Sequence, residues 1–549
     1  MKRRKVLQGL TVLPLGTVLP FKSLFAGTAD KSKSLVNGIE QLTSPGELTD
    51  APNIFQSIGV EPIINCRGTF TIIGGSLERT EVRAAMEAAS KNFVQYDELA
   101  DGVGKRLAEI TGAEWGMVSA GCAAGMKHVT AACVTGGNPE KLIRIPNLEG
   151  LDKTEVVIPK PSRNVYDHAI RNIGVKIVEV ETPEELENAL NKKTAMVYLM
   201  ADEDTEPGKP FSLENVVKIT KPHKIPVLID AAAEVLTIPN IHLQRGADVV
   251  VYSGGKAICG PQCAGLVLGR KDILMSAWQA SSPHHGPCRD NKVGREEMMG
   301  MLAAVEAWTK RDHPAEWKTW LLYLDTIAKK VSTINGITTS VFEPTELSNR
   351  SPVLNIVWDP AQLNITGEEI AEELGRNKPR VAVGGQSKDG KTSVNITTGQ
   401  MQPGNDKVVA NRLYEVLSKK RDPKPATLDA PAGNISGRWD ADIEFFSSLS
   451  KHSFYIEQDG NWIQGSHKGE FTVRDMRGTI EGDTVKLRSV DRHPADAITF
   501  TFTGKLSGDT ITGSIYMGEY RTANFVAKRN TSKSPHEKIV VPGGPPLAT

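Results

Sequence analysis

The chain has 549 residues, and its 65 Lys+Arg balance 65 Asp+Glu, so the formal net charge is zero. That length exceeds one ordinary domain and allows a substantial core. Charge balance argues against nucleic acid as the main partner, and no apolar run beyond the N-terminus is long enough to cross a bilayer.

Residues 1–29 have the three parts of an export signal. Met1-Lys-Arg-Arg-Lys5 is a cationic start, an apolar run extends from Leu10 to Phe21, and Phe25-Ala-Gly-Thr-Ala29 offers small residues for cleavage. Lys2-Arg-Arg-Lys-Val-Leu-Gln8 resembles a twin-arginine signal, a route that carries folded, cofactor-loaded proteins. The expected location is therefore the bacterial periplasm or cell envelope; the alternative is a basic tail on a cytoplasmic protein. Residues 30–50 are polar and read as a linker.

Residues 51–335 alternate short apolar runs with helical patterns. Runs at 115–119, 155–158, 175–180, 195–199, 226–230, 248–252 and 265–268 read as buried strands, with helical stretches such as 183–190 and 213–220 between them. This alternation predicts an α/β domain with a mainly parallel sheet covered on both faces. A long helical region spans about 296–332, and residues 336–420 then predict a small α/β lobe with strands at 353–357, 380–383 and 393–396. A Pro-rich linker follows at 421–433.

Residues 434–530 change style, to alternating strands separated by Asp459-Gly-Asn461, Glu481-Gly-Asp483 and Ser507-Gly-Asp509. These are hairpin turns, because Gly, Asn and Asp tolerate positive φ, and they predict an antiparallel barrel or sandwich. Trp439 and Trp462 are expected in its core, the alternative being a ligand groove. Residues 531–549 read as a disordered tail.

Three motifs carry chemistry. Ser119-Ala-Gly-Cys-Ala-Ala-Gly125 is a small-residue loop between a strand and a helix, and its free backbone N–H groups make an anion site. Val227-Leu-Ile-Asp-Ala-Ala-Ala-Glu234 puts Asp230 at the C-terminal end of a strand, the edge where ligands of open parallel sheets gather. Lys256 sits in a Gly-rich bend after another strand. Alone, such a lysine would snorkel to water. Together the three describe what pyridoxal 5′-phosphate needs. Lys256 would form a Schiff base with its aldehyde, and Asp230 would keep the pyridine nitrogen protonated. Gly121, Cys122 and Ala123 would hold the phosphate, with Ser253 as a hydroxyl donor. Ring stacking is expected from Arg163, Tyr166 or His168. The cysteines show no pair of ligand-spaced pairs, so no metal is expected.

Ser253-Gly-Gly-Lys-Ala-Ile-Cys-Gly-Pro-Gln-Cys-Ala-Gly265 resembles the lysine motif of the selenocysteine synthase-like group of fold-type I pyridoxal phosphate enzymes. Ile63-Ile-Asn-Cys-Arg-Gly68 resembles that group's opening strand, although Arg67 stands where the group more commonly has a small residue. The chain looks closer to the branch of the glucosaminate-6-phosphate ammonia-lyases than to the branch acting on transfer RNA. The resemblance implies a lyase that eliminates and deaminates an amino acid or 2-amino sugar acid, giving ammonia and a 2-keto acid, with Lys256 as the base for the α-proton.

It also implies a homodimer or higher homo-oligomer, in which Arg67 or Arg79 reaches the partner's site. Arg67, Lys292 and Arg295 are candidates for an anionic substrate, the last two from the cluster Cys288-Arg-Asp-Asn-Lys-Val-Gly-Arg295. His284 and His285 are acid–base candidates or plain surface residues. The rival readings are a β-replacing transferase, an aminotransferase, a racemase, or an exported carbohydrate-binding protein with a retired catalytic fold.

Overall fold

The structure is a computed structural model that describes residues 53–425 and 427–532; the export-signal reading, the linker at 30–50 and the tail from residue 533 onward lie outside these residues. The chain divides into two compact units, Met1–Ile64 and Asn65–Thr549. In the described part of the first, a single turn at Gln56–Ile58 is closed by Gly59 at φ 79°.

In the second unit two helices, Thr80–Ser90 and Tyr96–Thr111, precede a seven-stranded sheet. Its strands are β1 (Trp115–Ser119), β2 (Glu155–Pro159), β3 (Lys176–Val180), β4 (Thr194–Met200), β5 (Val227–Asp230), β6 (Val249–Ser253) and β7 (Gly265–Gly269), in spatial order β1-β7-β6-β5-β4-β2-β3. Pairings among β2 to β6 are parallel, whereas β7 runs antiparallel to both its neighbours. The expected mainly parallel sheet is present, with each predicted strand in place. Its central strands are buried on both faces: Val156, Val157, Ile158, Val197, Leu199, Ile229, Val250 and Val267 all have 0% exposure. Continuous β-branched runs suit this position, since neither face meets water.

Helix α1 (Cys122–Thr135) follows β1 and is buried along nearly its whole length. The helical region expected at 296–332 is two helices, α2 (Arg295–Trp308) and α3 (His313–Val331). The break has a local cause. Asp312 accepts the Ala315 N–H over 3.0 Å and Pro314 occupies the first turn, so a second helix starts where one would otherwise continue.

The small lobe is a four-stranded antiparallel sheet with β8 (Thr338–Phe342), β9 (Val353–Trp358), β10 (Gly384–Lys388) and β11 (Lys391–Thr397), in order β10-β11-β9-β8. Strands β9 and β11 follow the apolar pattern. The pattern missed β8 and β10, edge strands whose side chains are mostly exposed and therefore carry no apolar alternation.

The C-terminal region closes into an eight-stranded barrel, β12 (Gly437–Glu444), β13 (Leu449–Asp459), β14 (Trp462–Lys468), β15 (Val473–Glu481), β16 (Thr484–His493), β17 (Asp496–Ser507), β18 (Thr510–Tyr516) and β19 (Thr522–Arg529). Each strand pairs antiparallel with the next, and β19 returns to β12, so no edge is left unpaired. The predicted hairpin glycines Gly460, Gly482 and Gly508 sit at φ 57°, 54° and 56°. Phe454, Phe502 and Phe525 fill the interior with edge-to-face contacts. Trp439 is buried there and donates Nε1–H to the Ile435 carbonyl over 2.8 Å. Trp462 corrects the expectation of a core residue: at the start of β14 its side chain faces outward and is 68% exposed.

Candidate active site

Backbone packing sets up the first feature. Gly121 adopts φ 86° and ends β1's loop, and helix α1 starts directly after it with no side-chain cap. Glycine is needed next to it, because a Cβ on Gly265 would lie 2.5 Å from the Gly121 carbonyl carbon, and one on Gly125 would lie 2.9 Å from Val267 Cγ2. This close approach lays the first turn of α1 against β7. The N–H groups of Cys122, Ala123 and Ala124 find no acceptor among the described residues, so they and the helix dipole present an unfilled anion cradle.

Asp230, the last residue of β5, is 3% exposed. Its Oδ1 accepts from the Ala232 N–H at 3.0 Å and the Cys122 thiol at 3.3 Å, and its Oδ2 accepts from the Tyr198 hydroxyl at 3.0 Å. Asn164 donates to Tyr198 Oη over 2.8 Å and so steadies the network. Burial pushes the Asp230 carboxyl above its ordinary range, opposed by these donors and by the Lys256 ammonium. Burial and the Asp230 charge push the Tyr198 hydroxyl and the Cys122 thiol well up, so both stay protonated donors. A carboxylate held in this way is matched to a cationic ring nitrogen.

Lys256 lies in the turn after β6 and is half-buried. Its backbone N–H bonds the Ser253 carbonyl at 3.2 Å, and its carbonyl accepts from Cys259 at 3.0 Å. The two glycines before it serve packing. A Cβ on Gly254 would meet Met301 Sδ at 2.4 Å and the Ala264 carbonyl oxygen at 2.7 Å, and one on Gly255 would meet Gln262 Cα at 2.7 Å. Arg311 clamps the other side, donating Nη1–H to the Ala257 carbonyl over 3.1 Å while it forks onto Glu316. Ser253 closes β6, and its hydroxyl makes no hydrogen bond among the described residues.

Beside this turn opens a cavity of about 870 Å³, lined by Ala233, Ala257 and Cys259 from the large lobe and by Arg350, Glu343 and Gln400 from the small one. Lys256 and Asp230 do not line it; Ala257, next to Lys256, and Ala233, three residues beyond Asp230, do. Arg67 lines it as well, its guanidinium 4.7 Å from the Phe70 ring. Arg311 and Arg350, together with Trp308, Trp317 and Trp320, were not read from the sequence as site residues. Each lies in a helix or loop without a local motif, and only the fold gathers them.

Other candidates are placed elsewhere. Arg295 donates to the Ala89 and Ser90 carbonyls and pairs with Glu296 at 3.0 Å, closing the C-terminus of the helix Thr80–Ser90. Lys292 is exposed at the surface. Arg163 is engaged with Asp167 and Glu179, while Tyr166 and His168 are exposed. His284 bonds the Trp278 and Ser281 carbonyls, and His285 is exposed. All six cysteines are free thiols.

A buried acid, an uncapped helix N-terminus and a lysine turn, converging on one edge of a mainly parallel sheet, define a fold-type I pyridoxal phosphate enzyme. Within that class the chain belongs to the selenocysteine synthase-like group. Residues 166–286 match the family "Aminotransferase class-V". The chain is 30% identical over 381 residues to a 5′-C-glycyluridine monooxygenase-decarboxylase from Streptomyces sp, covering 66% of this chain and 92% of that protein. It is 29% identical over 335 residues to D-glucosaminate-6-phosphate ammonia lyase from Salmonella typhimurium, covering 59% and 87%. A solved structure of a D-glucosaminate-6-phosphate ammonia-lyase superposes with TM-score 0.59 at 27% identity, over 67% of this chain and 98% of that one.

Proposed function

We propose that this protein is a pyridoxal phosphate-dependent lyase that eliminates a β-substituent from an amino acid or 2-amino sugar acid and releases ammonia and a 2-keto acid. The observation that carries the reading is the placement of Lys256, Asp230 and the open N-terminus of α1 on one sheet edge beside the cavity. The likeness to an ammonia lyase over 87% of its length supports the reaction type.

The residues fit the cofactor. The free N–H groups of Cys122, Ala123 and Ala124, with the Ser253 hydroxyl, would take its phosphate, whereas the Gly121 N–H expected to join them is spent on the Ser119 carbonyl at 2.9 Å; Asp230 would face its ring nitrogen; Lys256 would be its covalent anchor. When bound, the cofactor supplies an electron sink for the charge released at the α-carbon. The Lys256 amine, freed by the incoming substrate amine, takes the α-proton. The ammonium so formed returns that proton to the departing β-hydroxyl, which leaves as water. Hydrolysis of the remaining enamine then yields ammonia and the keto acid. Asp230 would set its carboxylate against the ring nitrogen of the bound cofactor, oriented by Tyr198 and Cys122. Arg67 and Arg350 face the cavity without a carboxylate partner among the described residues and suit a substrate carboxylate.

Lys292 is exposed and Arg295 is engaged with protein groups, so neither is assigned to the substrate here. The signal pattern at the N-terminus supports export by a twin-arginine-like route, and the class supports a homodimer; fractionation and light scattering test these two points. A transferase is the second reading, favoured by the class-V aminotransferase match.

Purified protein with cofactor should show the visible absorbance band of a lysine-bound aldehyde, removed by borohydride and lost in Lys256→Ala. Ammonia and keto-acid release from a panel of β-hydroxy amino acids and amino sugar acids should follow. Amino transfer to an added keto acid without net ammonia would overturn the lyase in favour of the transferase.

A further inference from the structure

The cavity beside the lysine turn is far larger than a serine or cysteine side chain requires, and its wall is unusual. Three of the chain's eight tryptophans line it: Trp308, Trp317 and Trp320. Two are on α3, one turn apart, with ring centroids 6.0 Å apart at 56°. The Trp317 indole is fixed, because its Nε1–H donates to Glu343 Oε2 over 2.6 Å, and the Arg350 guanidinium lies 5.9 Å from its ring centroid. Trp308 is packed differently, between His313 at 4.5 Å and Arg311 at 4.6 Å, with its Nε1–H on the Leu236 carbonyl.

The charges are apportioned as tightly. Arg311 is neutralised by Glu316. Among the described lining residues that leaves Arg67 and Arg350 as the guanidiniums without a carboxylate, and each already lies over an aromatic ring. One is needed for the substrate carboxylate. The wall also carries the indole faces and Glu343, a carboxylate that repels a phosphate and accepts from a hydroxyl or ring N–H.

From this we infer that the substrate is an amino acid whose side chain ends in a ring, stacked on Trp317 and Trp320, with hydrogen-bond donors at its edge toward Glu343. It is not an open-chain amino sugar acid bearing a terminal phosphate. The inference rests on the lyase reading for what happens at the α and β carbons, and it adds the class of substrate. A ring offers a π-face or a C–H face that stacks on indole, whereas a terminal phosphate would meet a single remaining guanidinium that already lies over an aromatic ring.

The test uses the full-length holoenzyme with three probes: serine, β-phenylserine for an aromatic ring, and an amino acid carrying a β-linked sugar ring; an open-chain phosphorylated amino sugar acid is the comparator. Binding is read from perturbation of the cofactor band and turnover from ammonia release. A ring-bearing probe should bind at least about tenfold more tightly than serine or the phosphorylated comparator, as expected for one ring stacked on one aromatic side chain. Trp317→Ala should remove that advantage and Trp317→Phe should keep most of it, which separates lost stacking from lost folding. The two ring probes decide between an aromatic and a sugar ring.

If serine or the phosphorylated compound releases ammonia but no ring is preferred, the lyase stands and the ring inference falls. If rings bind in a Trp317-dependent way but nothing releases ammonia, the lyase falls and the ring subsite stands. Preference for the phosphorylated comparator overturns the inference directly.

Discussion

The buried guanidinium of Arg311 donates to the carbonyl of Ala257, the residue immediately after Lys256, over 3.1 Å. The same group is forked by Glu316, with Nη2 at 2.7 Å, and lies over the Trp308 ring. It therefore ties the lysine turn to the start of α3. Arg311→Lys keeps the charge but cannot fork onto Glu316 and reach Ala257 at once. The expected result is a fall in kcat of about tenfold to a hundredfold, from misplacement of the lysine, with the cofactor band retained. Loss of the band as well would mean that the clamp governs binding of the cofactor rather than its alignment.

The Tyr198 hydroxyl is one of three donors that hold down an Asp230 carboxyl otherwise raised by burial. Tyr198→Phe removes that donor, so the carboxyl rises further and a smaller fraction is ionised at any given pH. The acid limb of the kcat/KM profile should move to higher pH, and cofactor affinity should weaken by about fivefold, the worth of one buried hydrogen bond. A pH–rate profile and a cofactor titration of wild type and variant check both. An unmoved acid limb would show that Asp230 is not the group it reports.

Glycines 121 and 254 make a paired test. Gly121 has open space where a Cβ would go but sits at φ 86°, so Gly121→Ala should fold with a loss of about 1–2 kcal/mol and weaker phosphate binding. At Gly254 a Cβ would collide with Met301 Sδ and the Ala264 carbonyl. Backbone cannot yield cheaply there, so Gly254→Ala should lose cofactor binding and give little soluble protein. Thermal melts with and without cofactor separate the two outcomes.

Inside the barrel, His452 Nδ1 and His467 Nε2 are 2.7 Å apart, and Ser489 Oγ is 2.7 Å from His467 Nδ1. Both rings are buried, and burial holds both well below the ordinary histidine range, helped by Arg474 at His452 and by His452 and then Arg474 at His467; Glu470 acts the other way on His452. Asp491, 2.6 Å from Arg474 Nη2, offsets that cation. With folded values depressed, the unfolded chain binds more protons below about pH 6.5, so stability present above that pH is lost as pH falls. Melting temperature should therefore drop steadily from pH 6.5 downward. In His452→Gln/His467→Gln the slope should flatten; an unchanged slope would assign the acid sensitivity to other groups.

The sequence by itself determined most of the elements and the positions of the candidate motifs on them. Short continuous apolar runs such as 195–199 and 249–252 read as strands buried on both faces, and Asp230 ends one strand while Lys256 follows another. The hairpin glycines at 460, 482 and 508 likewise announce their turns through positive φ. What tertiary structure decided was every contact between distant segments. Tyr198 sits in an apolar run with nothing local to mark it, yet it meets Asp230 because β4 and β5 pair in parallel and bring their C-terminal ends together. Arg295 looked like an anion binder by charge alone and instead caps a helix 200 residues away in sequence. The cavity wall of Trp317, Trp320 and Arg350 comes from a helix and a loop with no shared motif. Periodicity and turn chemistry are local properties that the chain carries in its order of residues. Pairing of charges and stacking of rings depend on which surfaces the packed core brings within a few ångströms, and that is settled only when the whole chain has folded.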